Sequence, residues 1–144
     1  MTAETTAELY YPLVTEAIRR AETLEDLGAP GAAQAYLDVS HLEERIANDL
    51  PAADPEGALA RRGAVRAALS ARNFERARQL IDRYLAEAGS QDNGELREEM
   101  NELRRQVEAS STGRFPHAVE RYGLFEIQRV ARAFVQQAAP FPIG

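Results

Sequence analysis

Apolar residues recur along this chain at three- and four-residue intervals, interrupted by glycine, proline and asparagine, and runs of β-branched residues are missing. That rhythm predicts helices almost throughout. After Pro12, the residues Leu13, Ala17 and Leu24, with Val14, Ile18 and Ala21, form one wide stripe, which Gly28, Pro30 and Gly31 bring to an end. Thr5 and Glu8 have the spacing of a capping box for an early turn, so Pro12 reads as the point where a helix starts or kinks. A second helix is predicted over residues 31–48 on Ala32, Ala35, Tyr36, Val39, Leu42 and Ile46, with His41 on the opposite face.

A third helix, over residues 55–71, has its start written in three residues. Asp54 is placed to cap it, Pro55 suits the first helical position, and Glu56 suits the positive end of the dipole. Ala58, Ala60, Ala64, Ala67 and Ala68 let a neighbouring helix come close. Arg72 and Asn73 form a tight turn, with Asn73 capping a fourth helix over residues 74–88 whose stripe is Phe74, Ala77, Leu80, Ile81, Tyr84 and Leu85. A fifth, over residues 95–109, presents Leu96, Met100, Leu103 and Val107, a narrow seam suited to a core or to self-association.

Further on, Phe115-Pro116 opens a short helix that Gly123 closes, and Leu124, Ile127, Ala131, Phe134, Val135 and Ala138 mark another apolar face. The alternating prolines 140 and 142 favour an extended tail, either packed on the bundle or docked into a partner. The expected architecture is all-α: five to seven short helices in antiparallel hairpins, one domain over residues 1–139 and a tail over residues 140–144.

Residues 58–90 resemble a tetratricopeptide repeat in length and layout. Phe74 and Ala77 are spaced like the aromatic and alanine that begin the second helix of that repeat, and Leu85 stands near its end. The first helix departs from the pattern, with Arg61, Ala64-Val65 and Ala68 where the family has Trp, a Leu-Gly pair and Tyr. The resemblance implies a helical-hairpin scaffold of the kind that binds other proteins.

Composition narrows the chemistry. The 144 residues contain no cysteine, tryptophan or lysine, so all 17 basic residues are arginine. This excludes thiolate chemistry, a Schiff-base lysine and the lysine of a phosphate-binding loop. No apolar run approaches the roughly 18 residues of a membrane span. Residues 2–11 carry Glu4 and Glu8 and no basic residue, unlike a secretory signal, so a cytoplasmic location is expected.

Charge is uneven. Residues 1–60 hold 12 acids and 3 arginines, whereas residues 61–144 hold 11 acids and 14 arginines. The asymmetry fits a surface for a polyanion, two halves that face each other, or copies that pair. Arg62, Arg66, Arg72, Arg76 and Arg83 are the candidate partner-binding residues, able to grip phosphate, an acidic peptide or the acidic half of another copy. Two histidines precede glutamates by three residues, His41 with Glu44 and His117 with Glu120, so each pair shares a helix face within reach of one metal ion. Exposed histidines beside solvated acids explain that spacing more simply, and Glu43-Glu44 and Glu98-Glu99 likewise read as solvated. No triad, phosphate loop, calcium loop or zinc-protease motif occurs.

The expected function is therefore a non-catalytic protein–protein interaction module, an adaptor or regulator, with no cofactor. Its partner is another protein, a second copy included. The alternatives are a nucleic-acid-associated regulator using the arginine-rich hairpin 61–83, which the net charge of −6 disfavours, and a metal-binding helical bundle.

Overall fold

The computed structural model describes residues 6–88 and 94–112. Within them the chain forms five helices and no strand, each helix antiparallel to its neighbour: α1 (Thr6–Asp26), α2 (Ala32–Asp49), α3 (Pro55–Ser70), α4 (Phe74–Ala88) and α5 (Gly94–Ser111). The all-α expectation holds. The apolar faces predicted for residues 115–138 and the tail lie outside the described residues.

The first helix begins at Thr6. It is continuous through Pro12, whose missing N–H leaves one carbonyl of the first turns without its helical donor. Packing of the earlier turns offsets that loss. Tyr10 and Tyr11 are half-buried against the core, and the Arg45 guanidinium of α2 sits 5.7 Å from the Tyr10 ring centroid.

Two of the interhelical turns are built alike. After α1, Gly28 N–H donates to Glu25 O and Ala29 N–H to Leu24 O, both at 2.9 Å. After α3, Arg72 N–H donates to Leu69 O and Asn73 N–H to Ala68 O, again at 2.9 Å. Both are Schellman closures around a left-handed residue, glycine at φ 61° in the first and arginine at φ 60° in the second. The Asn73 carboxamide then accepts from Arg76 N–H at 3.1 Å, as its capping role required.

At the head of α3, Asp54 Oδ1 accepts from Glu56 N–H at 2.8 Å and Gly57 N–H at 3.4 Å. A Cβ at position 57 would stand 2.2 Å from the Pro51 carbonyl oxygen, so only glycine lets the preceding loop lie against this turn.

Helix α3 is the hub. It packs on α2, α4 and α5, while α1 packs on α2. Ala60, Ala64, Ala67 and Ala68 have no exposed surface, which is the close approach their small side chains predict. Ile18, Tyr36, Val39, Ile46, Ile81 and Tyr84 fill the core around them. The α5 seam of Leu96, Met100, Leu103 and Val107 is buried within the chain, which leaves it no part in self-association. No helix among the described residues is long and apolar enough to cross a membrane.

Candidate functional site

The five candidate arginines divide into groups with different partners. On α4, one turn and then two turns in from the cap, Arg76 and Arg83 converge on a single carboxylate of α2. Arg76 Nη2 donates to Glu44 Oε1 at 2.7 Å, and Arg83 Nη1 to Glu44 Oε2 at 2.9 Å. Arg76 Nε also donates to Ser40 Oγ at 3.0 Å, and that hydroxyl donates to the Ala64 carbonyl at 2.7 Å. One polar chain thus ties α4 to α2 and α2 to α3. Arg83 further donates to the Asn48 carboxamide oxygen.

Burial alone would raise the Glu44 carboxyl. The hydrogen bond from Arg76 and the charges of Arg76, Arg83 and His41 outweigh it and hold the group below its ordinary value.

On α3, Arg62 Nη1 donates to Glu99 of α5 at 2.6 Å. Arg66, one turn on, is largely enclosed. Burial, and then the like charge of Arg62, lower its pKa, with Glu99 and Glu43 opposing. Arg72 stands exposed at the α3–α4 turn, its guanidinium 5.1 Å from the Phe74 ring centroid. The structure therefore brings Arg76 and Arg83 together, sets Arg62 beside Arg66, and holds Arg72 apart.

These pairings correct one expectation. Glu43, Glu44 and Glu99 are not solvated acids: Glu43 is fully buried, and the other two are half-buried receivers of arginine. The physical reason is that helix packing sets arginines of the second half against acids from both halves, Arg76 and Arg83 against Glu44 and Arg62 against Glu99.

Sequence reading did not single out Arg61 as a site residue, yet its guanidinium joins three separate elements. Its Nε donates to Glu87 Oε2 at 2.9 Å, and its Nη1 donates to the Leu50 and Gly57 carbonyls at 3.0 and 2.9 Å. The guanidinium groups of Arg61 and Arg83 stand 5.5 and 5.7 Å from the Tyr84 ring centroid. Burial first, then the Glu44 charge, push the Tyr84 phenol up to about 12 against the pull of both arginines.

His41 is exposed, with Nδ1 3.9 Å from the same Glu44 oxygen that Arg76 holds. No group of three or more metal-ligating residues occurs among the described residues, and His117 and Glu120 lie outside them.

A different surface emerges on α1. Leu9, Leu13 and Leu27 are 56%, 53% and 74% exposed, and they are the exposed large hydrophobic residues of the described chain. Beside them a groove runs between α1 and α2, with Leu13, Ala17, Ala35 and Leu42 as its apolar wall and Glu16, Arg20 and Asp38 at its rim. Leu13 had read as core. The signal that places it outside is the width of the α1 stripe. With Val14, Ile18 and Ala21 turned inward, α2, the main neighbour of α1 among the described residues, does not cover the arc that also carries Leu9 and Leu13.

The chain matches no known protein family, no curated protein and no solved structure.

Proposed function

We propose that the protein is a non-catalytic protein–protein interaction module of the cytoplasm, an adaptor or regulator, and that it receives an amphipathic helix of its partner along the α1–α2 edge. The observation that carries this reading is the uncovered row of Leu9, Leu13 and Leu27 beside a groove with an apolar wall and a charged rim. Exposed leucines beside an apolar groove with a polar rim are the kind of surface on which an amphipathic helix docks. The likeness of residues 58–90 to a tetratricopeptide hairpin agrees with it, since Ala77 is fully buried and Phe74 and Leu85 pack on the core as helices of such a pair require.

The arginines take a smaller part in this reading than their number suggests. Arg62 and Arg76 pair with acids of neighbouring helices, Arg66 is largely enclosed beside Arg62, and Arg72 and Arg83 keep exposed surface for a partner's acids. For the same reason, neutralising Arg62, Arg66, Arg76 and Arg83 together would disturb packing as well as binding.

A cleaner test places a photo-crosslinking side chain at position 13 and, separately, at position 83, and identifies the adducts formed in cells. A protein adduct at 13, with or without one at 83, is the expected result. Adducts confined to 83 would move the site to the arginines, and nucleic acid in those adducts would replace this reading with the nucleic-acid alternative.

A further inference from the structure

The outward face of α1 has a periodicity of its own. Leu9, Leu13, Glu16 and Arg20, with Leu27 one residue past the end of α1, follow one another at intervals of four, three, four and seven residues, a heptad seam on the side turned away from the core; Leu27 keeps the helical register, its N–H donating to Thr23 O at 3.1 Å. Leucines stand at both ends of the seam and opposite charges in the middle. Val14, Ile18 and Ala21, on the other side of the helix, are fully buried against the rest of the chain, so the seam is additional to the core face.

The order of residues on the seam is self-complementary under one operation. When a second α1 runs antiparallel across a two-fold axis at the level of Ile18, Leu9 meets Leu27 of the other copy and Leu13 meets its Thr23. Glu16 meets Arg20, and by symmetry Arg20 meets Glu16. Parallel pairing would instead set Glu16 on Glu16 and Arg20 on Arg20. A two-fold contact uses the same patch on both copies, and this patch meets that demand in shape and in charge.

We infer that α1 is the interface of a two-fold symmetric homodimer, each α1 lying along the α1–α2 groove of the other copy to give an antiparallel four-helix arrangement of α1 and α2 from both chains. The rim fits that packing. Asp38 of α2 stands across the groove from Arg20, and Leu42 adds apolar wall. In the single chain, Glu16 accepts from Arg19 at 3.1 Å, a solvent-exposed pair that readily exchanges for Arg20 of a second copy. The inference rests on the interaction-module reading and names the partner as a second copy.

Sedimentation of the full chain at micromolar to submillimolar concentration tests it. The expected particle has twice the 15.9 kDa chain mass. Glu16→Arg alone sets like charges across the axis and weakens association by at least about tenfold, as does Arg20→Glu alone, while the double exchange restores it. Circular dichroism of each variant checks that the helices remain.

Register is tested separately, in a protein with no cysteine of its own. Leu9→Cys and Leu27→Cys in one chain lie too far apart along a helix to join each other, roughly 27 Å at 1.5 Å per residue. The inference expects rapid oxidation to a covalent dimer, faster than for Leu9→Cys with Leu13→Cys. A wild type that stays monomeric, or a double charge exchange that fails to restore the dimer, overturns it. A monomer whose cross-linker at position 13 still captures one other protein overturns the self-pairing alone and leaves the interaction-module reading standing.

Discussion

Helices α1 and α4 carry opposite kinds of outer surface. The arginines of α4 reach across to acids on its neighbours: Arg76 and Arg83 to Glu44 on α2, and Arg78 to Glu108 on α5, with Asp82 receiving Arg104 in return. Helix α1 meets α2 through apolar contact and a hydrogen bond from Tyr36 to Glu25 at 3.2 Å, and among the described residues Leu9 and Leu13 stay exposed. Of the two helices the one richer in charge is thus the more self-sufficient, and the other holds the exposed leucines. Counting charges along a sequence locates potential partners, but only the packing decides whether those partners are already inside the chain.

The contrast between the two sides of α1 is tested by the largest effect. Ile18→Ala, on the buried side, is expected to cost about 2–5 kcal/mol in urea unfolding. Leu13→Ser, on the outer side, is expected to stay within about 0.5 kcal/mol at concentrations low enough to keep copies apart. Equal losses would show that the outer leucines belong to the core.

The α4 side is tested at its shared carboxylate. Glu44→Gln removes the charge that Arg76 and Arg83 both face, for an expected loss of about 1–3 kcal/mol near neutral pH. The sign of the pH dependence follows from the lowered Glu44 value. A carboxyl more acidic in the folded than in the unfolded chain contributes stability above the unfolded value of about 4.3, and loses it as pH falls through the folded value. The wild-type advantage over Glu44→Gln should therefore be full at pH 6 and shrink steadily below about 4.3. An advantage independent of pH would mean that packing, not charge, holds this corner.

The smallest effects separate the two Schellman turns. Gly28→Ala imposes a side chain on a left-handed residue and is expected to cost about 1 kcal/mol. Arg72→Gly relieves the same strain at the other turn and is expected to gain a few tenths, because it also gives up the stacking of Arg72 on Phe74. Thermal melts of the two variants should move in opposite directions.

Local chemistry made the helices legible before the structure. Asp54-Pro55-Glu56 at the head of α3 and Asn73 before α4 name their own roles, and the alanines of α3 announced a close crossing. Pro12 left open whether a helix starts or kinks there; the helix runs through it, with Tyr10 and Tyr11 packed on the core. The site was less legible than the fold. Whether Leu13 faces α2 or water depends on how much of a wide stripe one neighbour covers, and whether Glu44 is solvated depends on arginines that come about thirty and forty residues later. Both are facts of three-dimensional packing. Arg61 escaped notice for the same reason, since its Leu50 and Glu87 partners come from separate elements.

Arg61 also bears on how the molecule opens. Its single guanidinium group joins the carbonyl that ends α2, the first turn of α3 and an acid near the end of α4. Opening the α2–α3 loop strips this buried cation of its acceptors, and fraying the end of α4 removes its counter-charge. Neither event is cheap without the other, so two segments distant in sequence share one opening equilibrium and exchange their amide hydrogens as a single cooperative unit.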